Sequence, residues 1–332
     1  MKKALITLLQ YVIFLGLGVA IAYYTYNKLS PKDKDDMMLA IRHTRKWMFA
    51  MVLIAGFFSH YFRALRWRLM LKPLDIHPSK TNTTLAVLIG YLVNLGVPRA
   101  GEVAKCTVLA KYENVPADKM IGTIVSERIF DVLCLGIITL ITFFLQTHII
   151  VKYVNDHIDL VMAKKNYLIA AFAAMALIVA LVVVSYRRNK GSKIGKFITG
   201  LGNGLRSILI LKDRWQFIGY TLLIWGLYTL QIQIAFWSMA ATDGYGIQPD
   251  LLVLVFGSVG MILTQGGVGA YPALIALVLG LYGLEAGQGN AFGWVSWLGQ
   301  TGIVVVLGLV SLILLPAYNR RKHNAQTAVD RK

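Results

Sequence analysis

Residues 94–102 read Asn-Leu-Gly-Val-Pro-Arg-Ala-Gly-Glu, and this stretch interrupts an apolar run at about 83–95. Pro98 has no N–H and clashes with the preceding turn, so it ends the incoming helix. Gly96 and Gly101 permit a tight reversal because glycine adopts backbone conformations that other residues avoid. The run is too short to cross a bilayer comfortably. The pattern therefore predicts a re-entrant helical hairpin whose irregular backbone is shielded inside a membrane protein.

The helix expected to start near Ala100 would direct its first N–H groups, and the positive end of its dipole, into the protein interior. Such a helix end binds anions, and Arg99 would add a forked guanidinium donor beside it. The alternative is an ordinary cytoplasmic loop with solvated charges. We assign five residues of this turn to a candidate substrate-binding site: Asn94, Pro98, Arg99, Gly101 and Glu102.

The composition is that of a polytopic membrane protein. Of the 332 residues, 57% are apolar and only 15% are charged, and the mean hydropathy is +0.60. Soluble domains are about half apolar and a quarter charged, so a soluble two-domain enzyme is disfavoured. Six apolar runs are long enough to cross about 30 Å of hydrocarbon. They lie at about 4–26, 47–65, 120–147, 167–186, 215–239 and 290–316.

The distribution of the basic residues predicts the orientation. The chain has 34 Lys and Arg against 16 Asp and Glu, and the excess lies mainly between apolar runs. The positive-inside rule explains this pattern more simply than a nucleic-acid partner does. With both termini in the cytoplasm, the inside segments carry 24 Lys and Arg and the outside segments carry nine. The first run begins like a signal peptide, but the tyrosines at its end favour a retained helix.

The two halves of the chain resemble each other at an offset near 168 residues, which places the short run 83–95 opposite a second one at 251–265. Each half then has three crossings and one hairpin, so the second half is inverted relative to the first. Inverted halves with broken helices are typical of transporters. We expect an all-α polytopic membrane protein with a single transmembrane domain over 1–332, made of inverted repeats at 1–147 and 167–316 and a basic cytoplasmic tail at 317–332. Each repeat would contain three transmembrane helices and one re-entrant helical hairpin.

Three ionisable residues, Glu127, Arg128 and Asp131, stand near the start of the third apolar run. Each charged group costs about 2.5–3.5 kcal/mol at the centre of a membrane helix. Arg128 and Asp131 are three residues apart and can neutralise each other. Glu127 then needs a cation from elsewhere, and we expect Arg99 to supply it. We include the cluster in the substrate-binding site, and the alternative is an interfacial anchor for the helix end.

The second hairpin turn, residues 264–272, reads Thr-Gln-Gly-Gly-Val-Gly-Ala-Tyr-Pro and carries no charge. Its glycines allow close approach of the backbone, and its polar side chains can form hydrogen bonds. The alternative is helix packing through small residues. We assign to the same substrate-binding site Gln265, Gly266, Gly267, Gly269 and Tyr271.

A basic cluster, Arg63, Arg66 and Arg68, follows the second apolar run. It is typical of a cytoplasmic lipid-headgroup collar, in which each basic residue contributes about 1 kcal/mol of attraction to anionic lipid. The alternative is that the three arginines only fix the topology. The sequence contains no phosphate-binding loop, HExxH or GxSxG motif, and its six histidines lack ligand spacing. We therefore expect no catalytic residue, no metal site and no cofactor.

The first turn, followed by Ser126-Glu127-Arg128 and Asp131, resembles the lysylphosphatidylglycerol synthase transmembrane family. This family includes the flippase-like domain of the bacterial multiple peptide resistance factor. The segment from Gln265 to Gly269 looks like its second Gly-rich motif, and the resemblance covers most of the chain. In relatives an Arg-Glu pair often follows that motif, whereas Tyr271-Pro272 stands there in this chain.

The resemblance implies an integral protein of the bacterial inner membrane that translocates lipid, with membrane phospholipids as its partners and no nucleic acid. The chain carries no soluble synthase domain, so its cargo would be an anionic or amino-modified phospholipid, or a lipid-linked headgroup, made elsewhere. A homodimer is compatible with this expectation. Two alternatives stay open: a secondary transporter of a small polar or anionic solute, and a membrane-embedded transferase with Glu102, Glu127 or Asp131 as its base. A structural or scaffolding role is a further reading.

Overall fold

A computed structural model describes residues 2–97, 100–147, 149, 151 and 211–329, and this part of the chain is helical throughout. Two short 3-10 helices, Lys72–Leu74 and Gln265–Gly267, lie among the α-helices. The α-helices are α1 (Lys2–Lys28), α2 (Pro31–Arg42), α3 (Trp47–Leu71), α4 (Lys80–Gly96), α5 (Ala100–Glu113), α6 (Ala117–Leu145), α7 (Arg214–Trp237), α8 (Ile247–Leu263), α9 (Ala270–Gly280) and α10 (Ala286–Val329).

Four helical segments of the described chain are long and apolar enough to cross a membrane: Trp47–Leu74, Ala117–Leu145, Arg214–Trp237 and Ala286–Arg321. They coincide with four of the six apolar runs identified in the sequence, which confirms a multi-pass membrane protein. The first apolar run forms α1, and the run at 167–186 lies outside the described residues. The two runs judged too short to cross form α4 and α8, each 17 residues long.

The segment 27–46, which connects the first two apolar runs, contains the short helix α2. This helix was not predicted from the sequence, because the segment is rich in charged residues. Ser30 and Asp33 form a reciprocal cap at the start of α2, where Asp33 N–H donates to Ser30 Oγ (3.1 Å) and Ser30 N–H donates to Asp33 Oδ2 (3.2 Å). The hydrogen bond from the Ser30 hydroxyl lowers the pKa of the Asp33 carboxyl. Pro31 supplies a preset φ at the first helical position.

The chain divides into two compact units, one formed by 1–124 with 213–332 and the other by 125–212. In the first unit α3 packs along α7, and a core of five buried side chains lies there: Met48, Val52, Ala55, Ile234 and Ile303. A second core surrounds the fully buried Trp67, whose indole N–H donates to Thr123 Oγ1 at 2.9 Å. These two cores position the helical hairpins that form the candidate site.

The first hairpin pairs α4 with α5 at very close range. A Cβ added to Gly101 would collide with the Gly90 carbonyl oxygen and with the Asn94 side chain. A Cβ added to Gly90 would lie 2.8 Å from the Gly101 carbonyl oxygen. Only glycine at both positions allows the two helices to approach this closely. The expectation that Gly96 and Gly101 adopt conformations that other residues avoid is wrong, because both lie within helices and neither has a positive φ.

The second hairpin pairs α8 with α9, again across glycines. A Cβ on Gly260 would lie 2.7 Å from Tyr271 Cα, and one on Gly257 would lie 2.7 Å from the Tyr271 ring. The starts of α3, α4, α5 and α6 precede those of α7, α8, α9 and α10 by 167, 167, 170 and 169 residues. The same order of long helix, 17-residue helix, short helix and long helix thus occurs twice.

We predict that Gly101→Ala destabilises the first hairpin by about 1–3 kcal/mol, because the added methyl group forces the tightly packed helices apart. Gly96→Ala is the matched control, since a Cβ there has no neighbouring atom within 4 Å. The measurement is the free energy of unfolding in detergent. Equal stability of the two variants would contradict the close packing of α4 against α5.

Candidate functional site

The first hairpin turn uses its own polar groups to complete the helix ends. Pro98 and Arg99 lie outside the described residues. On either side of them, Val97 N–H donates to Val93 O (2.8 Å) and Ala100 N–H donates to Val97 O (3.2 Å). Gly101 N–H donates to the Asn94 side-chain oxygen at 2.8 Å. The expectation that these first N–H groups of α5 are open to an anion is therefore wrong for Ala100 and Gly101, because capping satisfies both.

The second turn is formed by residues with left-handed backbone conformations. Gly266, Gly267 and Gly269 have φ values of 60°, 74° and 71°, which strongly favour glycine. Gly269 lies against the Gly18 backbone of α1, where a side chain would collide. The Trp297 indole donates to Gly266 O at 2.7 Å, and this contact attaches the turn to α10.

The two turns meet through Gln265. Its side-chain N–H group donates to Asn94 O at 2.7 Å and to Leu95 O at 3.1 Å. Asn94 O would accept from residue 98 in a continuing helix, but Pro98 has no N–H to donate. Gln265 supplies the missing donor from the other half of the chain. The structure thus brings together Asn94 and Gln265, which sequence reasoning had placed in one site without predicting the contact.

A groove of about 540 Å³ runs beside the meeting point of the turns. Half of its lining residues are polar or expose backbone groups: Tyr91, Asn94, Thr264, Gln265 and Gly266. The other half are apolar: Phe14, Leu95, Met261, Ile262 and Val304. Ile262 is 75% exposed, so part of this apolar lining reaches the outer surface of the protein.

A second cavity of about 230 Å³ lies next to the groove and shares three lining residues with it, Tyr91, Met261 and Val304. Its lining is rich in polar side chains from six helices: Ser59, His60, Tyr91, Tyr228, Gln231, Ser258, Tyr271 and Gln300. Sequence reasoning missed most of these residues. The available signal was the presence of single polar residues inside apolar spans, as with His60 in α3 and Gln300 in α10.

The arginine cluster is mostly inside the protein. Arg63 is buried, donates to the Tyr228 hydroxyl at 3.0 Å, and has its guanidinium 6.0 Å from the rings of Tyr91 and Tyr228. Arg66 is fully buried, with its guanidinium 5.5 Å from the Phe217 ring. Arg68 Nε donates to Pro78 O at 2.8 Å. The burial of Arg63 and Arg66 differs from the headgroup collar expected, because aromatic faces of α7 and α4 cover their long side chains.

The acidic residues form local ion pairs. Within the second unit, Arg128 Nη2 lies 3.3 Å from Glu127 Oε1, and Arg128 Nη1 lies 3.8 Å from Asp131 Oδ2. In the first unit, Glu102 pairs with Lys105 at 3.0 Å, and Lys105 lies 4.7 Å from the centre of the Trp67 ring. The expectation that Glu127 needs a cation from outside its own helix is wrong, because Arg128 contacts both Glu127 and Asp131. The expected contact of Arg99 with the acidic residues falls outside the described residues. Lys105 was not anticipated as a partner, although its spacing from Glu102 permits the pair.

Within the part of the chain that the structure describes, no three His, Cys, Asp or Glu side chains come together as a group that could hold a metal ion. The chemistry offered by the groove is instead hydrogen bonding from amide, hydroxyl and backbone groups.

We predict that Gln265→Ala lowers the free energy of unfolding by about 1–3 kcal/mol, because it leaves the partly buried Asn94 carbonyl without a donor. Gln216→Ala serves as the control, since Gln216 forms an exposed hydrogen bond to Tyr220 that water can replace. Thermal unfolding in detergent measures both variants. An equal, small effect of the two substitutions would show that the turns do not depend on Gln265.

The chain matches the model of one known protein family. The model of the lysylphosphatidylglycerol synthase TM region matches residues 8–308, which include both hairpin turns and the acidic cluster. No curated protein and no solved structure is significantly similar to the chain. The family match covers nearly the whole sequence and confirms the resemblance inferred from the turns. The chain is a multi-pass membrane protein that belongs to the lysylphosphatidylglycerol synthase transmembrane family.

Proposed function

We propose that this protein translocates a phospholipid, or a lipid-linked headgroup, that is anionic or amino-modified. The observation that carries the proposal is the groove beside the two turns, whose lining combines polar residues with apolar residues that reach the outer surface. A lipid combines the same two characters, with a polar headgroup and apolar chains. The headgroup would contact Asn94 and Gln265 while the acyl chains remain in the surrounding hydrocarbon.

The exposure of two apolar lining residues supports a lipid cargo over a water-soluble cargo. Ile262 and Phe14 line the groove and are 75% and 42% exposed. In a membrane these side chains would face hydrocarbon, so the groove would open laterally toward lipid. A solute carrier would instead keep its cargo in a water-filled vestibule closed to lipid. The lateral opening is the feature that distinguishes the two candidates.

The repeated helix order supports an inverted-repeat architecture as part of the proposal. Four consecutive helices recur at offsets of 167 to 170 residues, and the related helices α3 and α7 pack against each other. The turns of the two related hairpins also touch. Such contacts between equivalent elements are what a two-fold axis in the membrane plane produces. We propose that α4–α5 and α8–α9 are re-entrant hairpins that enter from opposite sides.

We propose that the protein resides in the bacterial inner membrane with both termini in the cytoplasm. The excess of Lys and Arg in the segments that this orientation places inside supports it. We assign no enzymatic activity, no cofactor and no nucleic-acid partner, and a homodimer is compatible with the proposal.

The smaller cavity favours a second candidate function, the transport of a small polar or anionic solute. Its volume of about 230 Å³ suits a small molecule better than a complete headgroup with its glycerol. Arg63 lies beside its lining residues Tyr91 and Tyr228 and would supply positive charge for an anion. Identification of co-purifying lipids by mass spectrometry separates the candidates, because only a lipid transporter retains a particular lipid class.

We predict that Ile262→Trp slows lipid translocation about tenfold, which corresponds to about 1.4 kcal/mol in the barrier, because the indole obstructs the entrance of the groove. The measurement uses proteoliposomes that contain headgroup-labelled phosphatidylglycerol and a quencher that does not cross the bilayer. Ile313→Trp is the matched control, since Ile313 is 73% exposed on α10 and does not line the groove. If both variants transport as fast as the wild type, the groove is not the lipid path.

Arg99 provides a second test of the headgroup site. We predict that Arg99→Ala abolishes translocation and that Arg99→Lys retains part of it, because lysine keeps the charge but loses the forked geometry. The free energy of unfolding in detergent is measured on the same variants, so that a loss of transport can be separated from a loss of stability. Unchanged stability and transport in Arg99→Ala would remove Arg99 from the site.

A further inference from the structure

Asp250 is a fully buried carboxyl group in the first turn of α8. Among the described residues, neither of its side-chain oxygens has a hydrogen-bond partner. Its nearest neighbours along the helix face are also buried and apolar, including Val253 and Leu254. An ionised carboxylate is costly in such surroundings unless a cation or donor compensates it. Ionisable residues inside membrane helices are rare and commonly mark proton or ion pathways.

The related position in the first hairpin is occupied by Asn82, a buried polar residue with a structural role. Asn82 occupies the same early turn of α4 and is equally buried. Its amide donates to Glu113 Oε1 at 2.7 Å and exchanges hydrogen bonds with Asn319 at 3.0 and 2.8 Å. Asn82 thus fastens α4 to α5 and α10. Asp250 makes no comparable contact within the described chain, so structural fastening does not explain a carboxyl group at this position.

Tyr271 connects Asp250 to the polar cavity. The Tyr271 backbone packs on Gly260, and its ring extends along α8 to Gly257, so the hydroxyl points toward the N-terminal end of that helix. Tyr271 lies within electrostatic reach of Asp250, and its hydroxyl accepts from Gln300 Nε2 at 3.1 Å. Tyr271 and Gln300 both line the cavity of about 230 Å³. Tyr271 therefore lies between the start of α8 and the cavity.

We propose that Asp250 is a proton-binding site, and that its protonation and deprotonation couple a proton gradient to transport. The coupling rests on the translocation proposed above, whereas proton binding stands by itself. The positive end of the α8 dipole stabilises the carboxylate, and burial stabilises the neutral acid. The group therefore has two accessible states. One proton binds from one side of the membrane and leaves to the other, and no other bond changes.

The titratable neighbours are few within the described residues. Tyr271 on α9, Tyr228 on α7 and His60 on α3 line the same cavity as the α8 residues that follow Asp250. Arg63 donates to the Tyr228 hydroxyl, so a charged side chain lies next to this set of titratable residues. A pH response could therefore also arise from His60. The experiment must consequently report on the carboxyl group itself.

The experiment combines infrared spectroscopy with transport. Purified protein in lipid is titrated while the carboxylic-acid C=O stretch is recorded, and the band is assigned with Asp250→Asn. The matched control is Asp243→Asn, which removes an exposed carboxylate paired with Arg45 at 3.0 Å. We expect a titrating band in the wild type and in Asp243→Asn that is lost in Asp250→Asn. A band from His60 cannot be mistaken for it, because imidazole has no C=O group.

Transport is then measured in proteoliposomes with headgroup-labelled phosphatidylglycerol, with and without an imposed pH gradient. Asp250→Asn should fold like the wild type, since asparagine occupies the related position 82, and its transport should lose all response to the gradient. The absence of a titrating Asp250 band, or failure of Asp250→Asn alone to fold, would refute the proton site. A titrating band without lipid transport in the wild type would support the proton site and refute the lipid translocase.

Discussion

The need to satisfy backbone groups away from water governs the centre of this protein. α4 ends at Gly96, and the following Pro98 has no N–H to donate to the Asn94 carbonyl. Unsatisfied carbonyls are too costly to leave inside a membrane protein, so irregular backbone occurs there only where the protein provides partners. Gln265 provides them from the other half of the chain, at 2.7 Å from Asn94 O and 3.1 Å from Leu95 O. This contact holds the two turns together, and the groove exists because the turns meet there.

Much of this arrangement could be predicted from local sequence. The helix-breaking residues and the lengths of the apolar runs predicted the two turns and the two short helices α4 and α8. This was possible because Pro and Gly act on the backbone within a few residues. The contact of Gln265 with Asn94 could not be predicted, since it depends on how hairpins 170 residues apart pack. The burial of Arg63 and Arg66 was also missed. A basic cluster after an apolar run usually faces the membrane surface, and here aromatic side chains from other helices cover it.

The two halves share a helix order but divide their chemistry unequally. The first hairpin contains the Glu102–Lys105 pair and is fastened by Asn82 to Glu113 and Asn319. The turn of the second hairpin contains glycines with left-handed backbone conformations. This hairpin also carries one buried carboxyl group, that of Asp250. In the proposed inverted arrangement, two identical hairpins would present equivalent sites to the two sides of the membrane. The difference in polar residues would instead make these two sites chemically distinct.

In the proposed mechanism, the balance of buried charge in the first unit would link proton binding to headgroup binding. Arg63 and Arg66 are buried there, and Lys105 is already paired with Glu102. Asp250 is the fully buried carboxyl group in the described part of this unit. When Asp250 binds a proton, the interior gains one unit of positive charge and should attract an anion more strongly. Because coupling between two sites is reciprocal, a bound anionic headgroup should in turn favour protonation. Proton and anionic lipid would thus bind together and move in the same direction.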